Sequence, residues 1–171
     1  MIKLITPCKK YLTSYIEAYY EYKEQNITSY SFSDAASIDI FEKFDNFRNE
    51  RNLGEGIIGS SYYWLVDDEK EYFIGEVNIR HRLTDALKRY GGHIGYGIRF
   101  SEQNKGYGTM MLSLALDKAK EIGIKTVLIT CNDKNIASAK VMENNGLKLQ
   151  DKIPNFVKGK HITTRRYVKE L

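Results

Sequence analysis

The segment from Gly91 to Ile122, GGHIGYGIRFSEQNKGYGTMMLSLALDKAKEI, constrains the fold of this chain more than any other. It reads as a short apolar strand, a polar loop rich in glycine, and an amphipathic helix. A helix N-terminus leaves backbone N–H groups unpaired and lies at the positive end of the helix dipole. Gly106 and Gly108 keep side chains away from this backbone, and no acidic residue occurs from Lys105 to Leu116. The pattern predicts an anion-binding loop at the helix start.

Length and composition indicate one globular domain over residues 1–171. Hydrophobic residues make up 42% of the chain and charged residues 28%, which is ordinary for such a domain. No apolar run approaches the roughly 20 residues of a membrane span, and the N-terminus lacks the apolar core of a signal peptide. Cys8 and Cys131 have neither metal-like spacing nor disulfide density. We therefore expect a cytoplasmic protein with reduced cysteines, no membrane contact and no metal.

The net charge of +4 is mild. It suits an anionic cofactor but is far from the basic patch of a nucleic-acid-binding protein. Nucleic-acid binding through Lys105, Lys118, Lys120 and Lys125 is a weaker alternative that the charge disfavours. The sequence leaves open whether the protein forms a homodimer.

In the N-terminal half, IKLITP predicts a first strand that Pro7 ends. Apolar and aromatic residues recur at helical spacing from Lys9 to Gln25. Ser33 or Asp34 is expected to cap a second helix, which follows. The runs SSYYWLVD and EYFIGEVNIRH then indicate a β-hairpin.

In the C-terminal half, HIGYGIRF and KTVLITCN are predicted strands. A short helical turn is expected within Leu83–Tyr90, and longer helices over Tyr107–Ile122, ended by Gly123, and over Asn135–Asn145. LKLQDKI and HITTRRYVKEL are expected to form a final antiparallel pair joined by an exposed loop, PNFVKGK. This order of elements predicts a mixed α+β sheet.

Two familiar phosphate-binding patterns do not fit the glycine loop. A Walker-type loop needs Gly-Lys-Ser/Thr at its end, whereas the order here is Lys105-Gly106-Tyr107-Gly108-Thr109. A dinucleotide fingerprint needs a third glycine where Met111 stands.

A third pattern fits. Gln103-x-x-Gly106-x-Gly108 at a strand–helix junction resembles the pyrophosphate loop of the GCN5-related N-acetyltransferases (GNAT), which bind acetyl-coenzyme A (acetyl-CoA). Asn135-x-x-Ser138, running on to Glu143-Asn144-Asn145-Gly146-Leu147, is similar to a second segment of that family. The resemblance covers roughly Tyr72 to Gln150.

The resemblance implies an α+β fold with α/β/α layers. Its sheet would be mixed and mostly antiparallel, with a splayed central strand pair and about four helices. Residues 1–60 would form the acceptor side, 61–150 the cofactor-binding core, and 151–171 the C-terminal strands.

The implied activity is transfer of an acetyl group from acetyl-CoA to a primary amine of an undetermined small molecule or protein, by direct attack. In many members a tyrosine seven residues after the asparagine donates a proton to the leaving thiolate, whereas this chain has Met142. A thioether carries no proton to donate. The proton could come instead from Tyr107 or from a tyrosine of the N-terminal half, or the thiolate could leave without an acid. A non-catalytic acyl-CoA-binding module is therefore the alternative function.

The implied cofactor contacts fall into three groups. Backbone N–H groups of the loop would hold the pyrophosphate, with Lys105 as a counter-charge. Ile98, Arg99 and Phe100 would offer backbone groups to the pantetheine arm, with the N–H of Ile98 or a neighbour polarising the acetyl carbonyl. The loop residues that would surround the pyrophosphate are Gln103, Asn104, Lys105, Gly106, Tyr107, Gly108 and Thr109. Asn135 and Ser138 would also contact the pantetheine arm. The Arg99 side chain is expected to be a solvated charge at the strand end.

Two residues are candidates for the base that deprotonates the amine. Glu76 is the first, because it lies on a strand beside the expected cleft; a plain solvent-facing position is the equal alternative. His93 precedes the glycine-containing strand and is a second, weaker candidate, with a surface histidine as the commoner outcome.

Overall fold

The computed structural model describes residues 1–27 and 32–171. Within these ranges there are seven strands and five α-helices. The strands are β1 (Ile2–Ile5), β2 (Ser60–Asp67), β3 (Tyr72–Arg80), β4 (Ile94–Ile98), β5 (Thr126–Asn132), β6 (Lys148–Val157) and β7 (Lys160–Glu170). The helices are α1 (Leu12–Glu24), α2 (Ile40–Arg48), the short α3 (Asp85–Arg89), α4 (Tyr107–Glu121) and α5 (Ile136–Asn144).

The strands form two sheets, ordered β1-β2-β3-β4 and β5-β7-β6, in which every described pair is antiparallel. Helices cover both faces, so the predicted α+β fold with α/β/α layers is confirmed. The helix count exceeds the expected four because the turn predicted within residues 83–90 is a separate short helix. No helix in the described ranges has the length and apolar character needed to cross a bilayer.

Two hydrophobic clusters hold the layers together. The larger lies between the strands and helices α4 and α5, and includes Leu112, Ile129 and Tyr167. The second is mostly aromatic and packs α1 and α2 against the other face of β2 and β3. At its centre Tyr15 stacks on Trp64, with ring centroids 4.7 Å apart. These clusters fix the positions of the helices around β4.

The central strands β4 and β5 belong to different sheets and meet only near the start of β4, within the described residues. There Gly92 forms a bridge with Ile129, and the His93 N–H donates to Leu128 O over 2.7 Å. Gly92 has a φ of +64°, and a Cβ on it would lie 2.4 Å from Leu128 O. Only glycine permits this approach. From this point the two strands separate, as expected for a splayed pair.

The second helix begins later than the sequence indicated. Asp39 is its N-cap and accepts hydrogen bonds from the N–H groups of Phe41 and Glu42. The prediction that Ser33 or Asp34 caps this helix was wrong. Asp34 instead accepts from the Ala36 N–H in a local turn, a hydrogen bond that aspartate makes as readily as a helix cap.

The segment PNFVKGK is not a loop. β6 and β7 stay paired up to Val157 and Lys160, so Lys158 and Gly159 alone make the turn. Pro154 lies within β6, where a missing N–H is tolerated because β6 is an edge strand.

Candidate active site

A cavity of about 850 Å³ opens where β4 and β5 separate, between β4, the start of α4 and helix α5. Eight of the residues predicted to contact a cofactor line it: Ile98, Gln103, Asn104, Gly106, Gly108, Thr109, Asn135 and Ser138. The structure thus brings together loop, strand and helix positions that are up to 40 residues apart in the chain.

One end of the cavity is the N-terminus of α4. Gly106 is the N-cap, with a left-handed φ of +85°, and no side chain caps the helix. The first turn contains no acidic residue. A Cβ on Gly108 would lie 3.2 Å from Val141 Cγ2, so glycine lets the first turn pack tightly against α5. The first N–H groups of α4 are thus available to an anion at the cavity.

The strand β4 forms the wall of the cavity. Arg99 N–H donates to Ile74 O over 2.7 Å, and Arg80 N–H donates to His93 O. Because hydrogen-bonded pairs alternate along an antiparallel ladder, the backbone groups of Tyr96 and Ile98 point away from β3, toward the cavity. Ile98 O accepts a hydrogen bond from the Tyr22 hydroxyl over 2.5 Å.

Helix α5 contributes its first turn. Asn135 Oδ1 caps the helix by accepting the Ser138 N–H over 3.1 Å. Ser138 Oγ lies 2.8 Å from the Tyr96 hydroxyl, which joins α5 to β4 across the cavity wall. Both residues therefore have structural contacts in addition to their place in the cavity.

Four residues of the predicted cofactor set do not line the cavity. Lys105 is exposed and pairs with Glu102 Oε2 over 3.0 Å. Tyr107 packs against the larger core cluster and Phe100 against the aromatic one. The fourth is Arg99.

Arg99 is buried, with 6% of its surface exposed. Its Nε donates to Glu21 Oε1 over 2.6 Å, and its Nη1 donates to Ser14 Oγ over 2.9 Å. The interpretation as a solvated charge was wrong, because α1 packs over the end of β4 and supplies these partners. Both backbone groups of Arg99 are also used, since its N–H bonds to Ile74 and its C=O accepts from Glu102. They are not free for a ligand.

Glu76 is also buried, with 3% of its surface exposed. It lies on β3 between Trp64 on β2 and Gly97 on β4. Trp64 Nε1 donates to Glu76 Oε2 over 2.9 Å. Burial raises the pKa of this carboxyl to about 7, and the bond from Trp64 opposes the shift. The solvent-facing alternative is therefore wrong. Glu76 does not line the cavity, but its neighbour Gly97 does.

His93 links the two sheets. Its Nδ1 accepts the Leu128 N–H over 3.0 Å, and burial lowers the pKa of its ring. It is five residues from Ile98, which corresponds to about 16 Å along a strand. This position at the closed end of the splay does not support a role as base.

Several cavity residues were missed by sequence reasoning: Tyr22, Ile27, Tyr96, Gly97, Glu102, Ile136, Ala137, Lys140, Val141 and Asn144. Tyr96 could have been found, because it shares the strand face of Ile98 by the period of two. Tyr22 could not, since it reaches the site from α1, 76 residues away from Ile98. Among the described residues, no group of three or more His, Cys, Asp or Glu could hold a metal ion.

The comparisons with known proteins agree on the fold. The family described as the acetyltransferase (GNAT) domain matches residues 11–148. A search among curated protein sequences gave no match.

Solved structures resemble the chain along nearly its whole length. The microcin C7 self-immunity acetyltransferase MccE, in complex with acetyl-CoA and AMP, has 19% identity and a TM-score of 0.72, covering 99% of this chain and 92% of that one. The ribosomal-protein-S5-alanine acetyltransferase of Vibrio fischeri has 17% identity and a TM-score of 0.69, covering 99% and 91%. RimL, a ribosomal-protein α-N-acetyltransferase in complex with coenzyme A, has 15% identity and a TM-score of 0.71, covering 99% and 94%. With four-fifths of its length matched by the family, the chain belongs to the GNAT acetyltransferases, enzymes that use acetyl-CoA as cosubstrate.

Proposed function

We propose that this protein transfers the acetyl group of acetyl-CoA to a primary amine of a small molecule or a protein, by direct attack of the amine. The observation that carries the proposal is the cavity itself. It joins an uncapped helix N-terminus, which suits a pyrophosphate, to a strand edge with outward-facing backbone groups, which suits the amides of a pantetheine arm. When bound there, acetyl-CoA supplies an activated acetyl thioester.

Different residues at the cavity bind different parts of acetyl-CoA. N–H groups at the start of α4, from Tyr107 to Thr109, hold the pyrophosphate. The backbone of Tyr96 pairs with the pantetheine, and the Ile98 N–H polarises the acetyl carbonyl. Asn135 adds its side-chain amide. Lys140, which is exposed at the cavity, offers a positive charge to the phosphates.

Glu76 is the base in this proposal. A neutral amine is needed for attack, and a group with a pKa near 7 is well matched to remove its proton at neutral pH. Because the carboxyl is buried, we propose that a water beside Gly97 carries the proton from the amine to Glu76.

We also propose that the enzyme works in the cytoplasm. The two cysteines are free in the structure, with Cys8 exposed and Cys131 buried. Free thiols suit a reducing compartment.

The activity is tested by supplying acetyl-CoA and a panel of primary amines and following thiol release with a chromogenic disulfide. The panel should include polyamines, amino acids, aminoacyl amides and short peptides. We expect release above the acetyl-CoA hydrolysis background with at least one class of amine. Tight coenzyme A binding in calorimetry with no release for any amine would favour the non-catalytic acyl-CoA-binding module instead.

The pyrophosphate loop is tested by a matched pair of glycine substitutions on α4. Gly106 and Gly123 have φ values of +85° and +87°, and nothing lies within 4 Å of a Cβ built on either. Gly106→Ala and Gly123→Ala should each lower the free energy of unfolding by about 1 kcal/mol, because alanine is strained in the left-handed region. Only Gly106→Ala should weaken coenzyme A binding, by about tenfold in calorimetry. Equal affinities in the two variants would contradict the assignment.

A further inference from the structure

Tyr96 lines the cavity, and no part of the binding scheme above uses its hydroxyl. It lies 2.8 Å from Ser138 Oγ and 3.3 Å from Ser138 O. Tyr96 and Ser138 both line the cavity. The hydroxyl is therefore held against the first turn of α5, at the wall where the coenzyme would lie.

Met142 of α5 stands where many family members carry a tyrosine that donates a proton to the leaving thiolate. Met142 is fully buried, and its thioether has no proton to give. Ser138 is four residues before Met142, so the two side chains lie on the same face of the helix, one turn apart. The Tyr96 hydroxyl thus reaches from β4 to the helix face that Met142 leaves without a donor.

Tyr96 keeps its proton at neutral pH. Burial raises the pKa of its hydroxyl to about 12, although the hydrogen bond with Ser138 acts in the opposite direction. Ser138 is half-buried and contacts both the hydroxyl and the cavity. Its own hydroxyl can therefore return a proton to Tyr96 from water.

The other tyrosines near the site are placed less well. Tyr107 does not line the cavity and packs against the larger core cluster. Tyr22 lines it, but its hydroxyl donates to Ile98 O and accepts from Gln103 Nε2 over 2.8 Å. The short 2.5 Å bond holds the Tyr22 proton at the strand, whereas Tyr96 donates to Ser138 O over a longer 3.3 Å.

We propose that Tyr96 is the catalytic acid that protonates the sulfur leaving in acetyl transfer, with Ser138 Oγ as its relay to water. The inference rests on the proposed function. As the bond from the amine nitrogen to the acetyl carbon forms, the carbon–sulfur bond breaks and its electron pair stays on sulfur. Tyr96 Oη gives its proton to that sulfur, and the phenolate takes a proton from water through Ser138 Oγ. The proton lost by the amine leaves through the base, so charge and atoms balance.

Tyr96→Phe tests the contact without relying on turnover. Calorimetry compares coenzyme A with desulfo-coenzyme A, which lacks the thiol sulfur. Removal of the hydroxyl should weaken coenzyme A binding about tenfold and leave desulfo-coenzyme A unchanged. The second ligand also shows that the variant is folded. Tyr90→Phe, at an exposed tyrosine that does not line the cavity, is the matched control and should bind both ligands as the unmodified protein does.

The rate supplies the second measurement. Under saturating acetyl-CoA, Tyr96→Phe should lower kcat at least tenfold, and Ser138→Ala should lower it less, because water can replace the relay. If the unmodified protein binds coenzyme A and acetylates an amine but Tyr96→Phe matches it in kcat and in both affinities, the role of Tyr96 is refuted and the acetyltransferase function stands. If the unmodified protein neither binds coenzyme A nor releases thiol, the proposed function itself fails.

Discussion

Replacing Glu76 with glutamine is expected to stabilise the folded protein at pH 8 and, at the same pH, to slow acetyl transfer by two orders of magnitude or more. The carboxyl is buried beneath the aromatic cluster and accepts a hydrogen bond from Trp64 Nε1. Glutamine has nearly the same shape and can still accept that bond through its carbonyl oxygen. The substitution therefore removes the charge with little change in packing.

The gain in stability follows from the raised pKa of Glu76, about 7 in the folded protein against an ordinary 4.5. Between these values the folded state keeps the proton that the unfolded chain has lost. Stability therefore falls as pH rises through this window and stays low above it. The interval corresponds to about 3 kcal/mol in the free energy of unfolding. Urea unfolding should show Glu76→Gln more stable at pH 8 by up to this amount, with the difference vanishing near pH 4.

The loss of rate follows from the proposed role as base. General-base catalysis contributes about 10²–10⁴ in rate, and a glutamine amide cannot take a proton. In the unmodified enzyme kcat/KM should rise with pH through about 7, whereas Glu76→Gln should lack that rise. The exposed Glu55→Gln is the control for loss of one negative charge and should change neither quantity. An unchanged rate in Glu76→Gln would refute the base, and unchanged stability at pH 8 would refute the raised pKa.

The sequence was enough to predict those elements whose bounds depend on residues that are neighbours in the chain. The aromatic and β-branched run SSYYWLVD predicted the bounds of β2, Ser60–Asp67, because its flanking turns end the pattern sharply. Gly123, with a φ of +87°, ends α4 as a C-terminal glycine is expected to do. The loop at Gly106 and Gly108 could also be placed at the start of a helix, because the glycines and the helical pattern are adjacent in the sequence.

Burial of charged residues could not be predicted, because it depends on partners distant in the chain. Arg99 looks like a strand-end charge until α1 is packed against it, and Ser14 and Glu21 are 85 and 78 residues away. Glu76 alternates with apolar neighbours as a solvent-facing strand residue would. Only the packing of α1 and α2 over this face of the sheet shows that the carboxyl is enclosed.

Arg99→Met is expected to lower the free energy of unfolding by about 3 kcal/mol, because it leaves a carboxylate without its partner in a largely buried place. Arg99 donates to Glu21 and Ser14, and its guanidinium lies 4.3 Å from the Tyr72 ring centroid. Glu21 also accepts the Ser101 N–H over 3.0 Å. The pair therefore holds α1 against the loop that leads into the proposed cofactor site, and coenzyme A affinity should fall as well.

Three variants separate these effects in urea unfolding and coenzyme A calorimetry. Arg99→Lys keeps the charge but loses the planar fork of donors, so it should lie between Arg99→Met and the unmodified protein. Adding Glu21→Gln to Arg99→Met removes the unpaired carboxylate and should recover part of the lost stability. Glu17→Gln alone, at a carboxylate 57% exposed, should cost less than 1 kcal/mol. A loss below 1 kcal/mol in Arg99→Met, or no recovery in the double variant, would show that the pair does not hold α1 against β4.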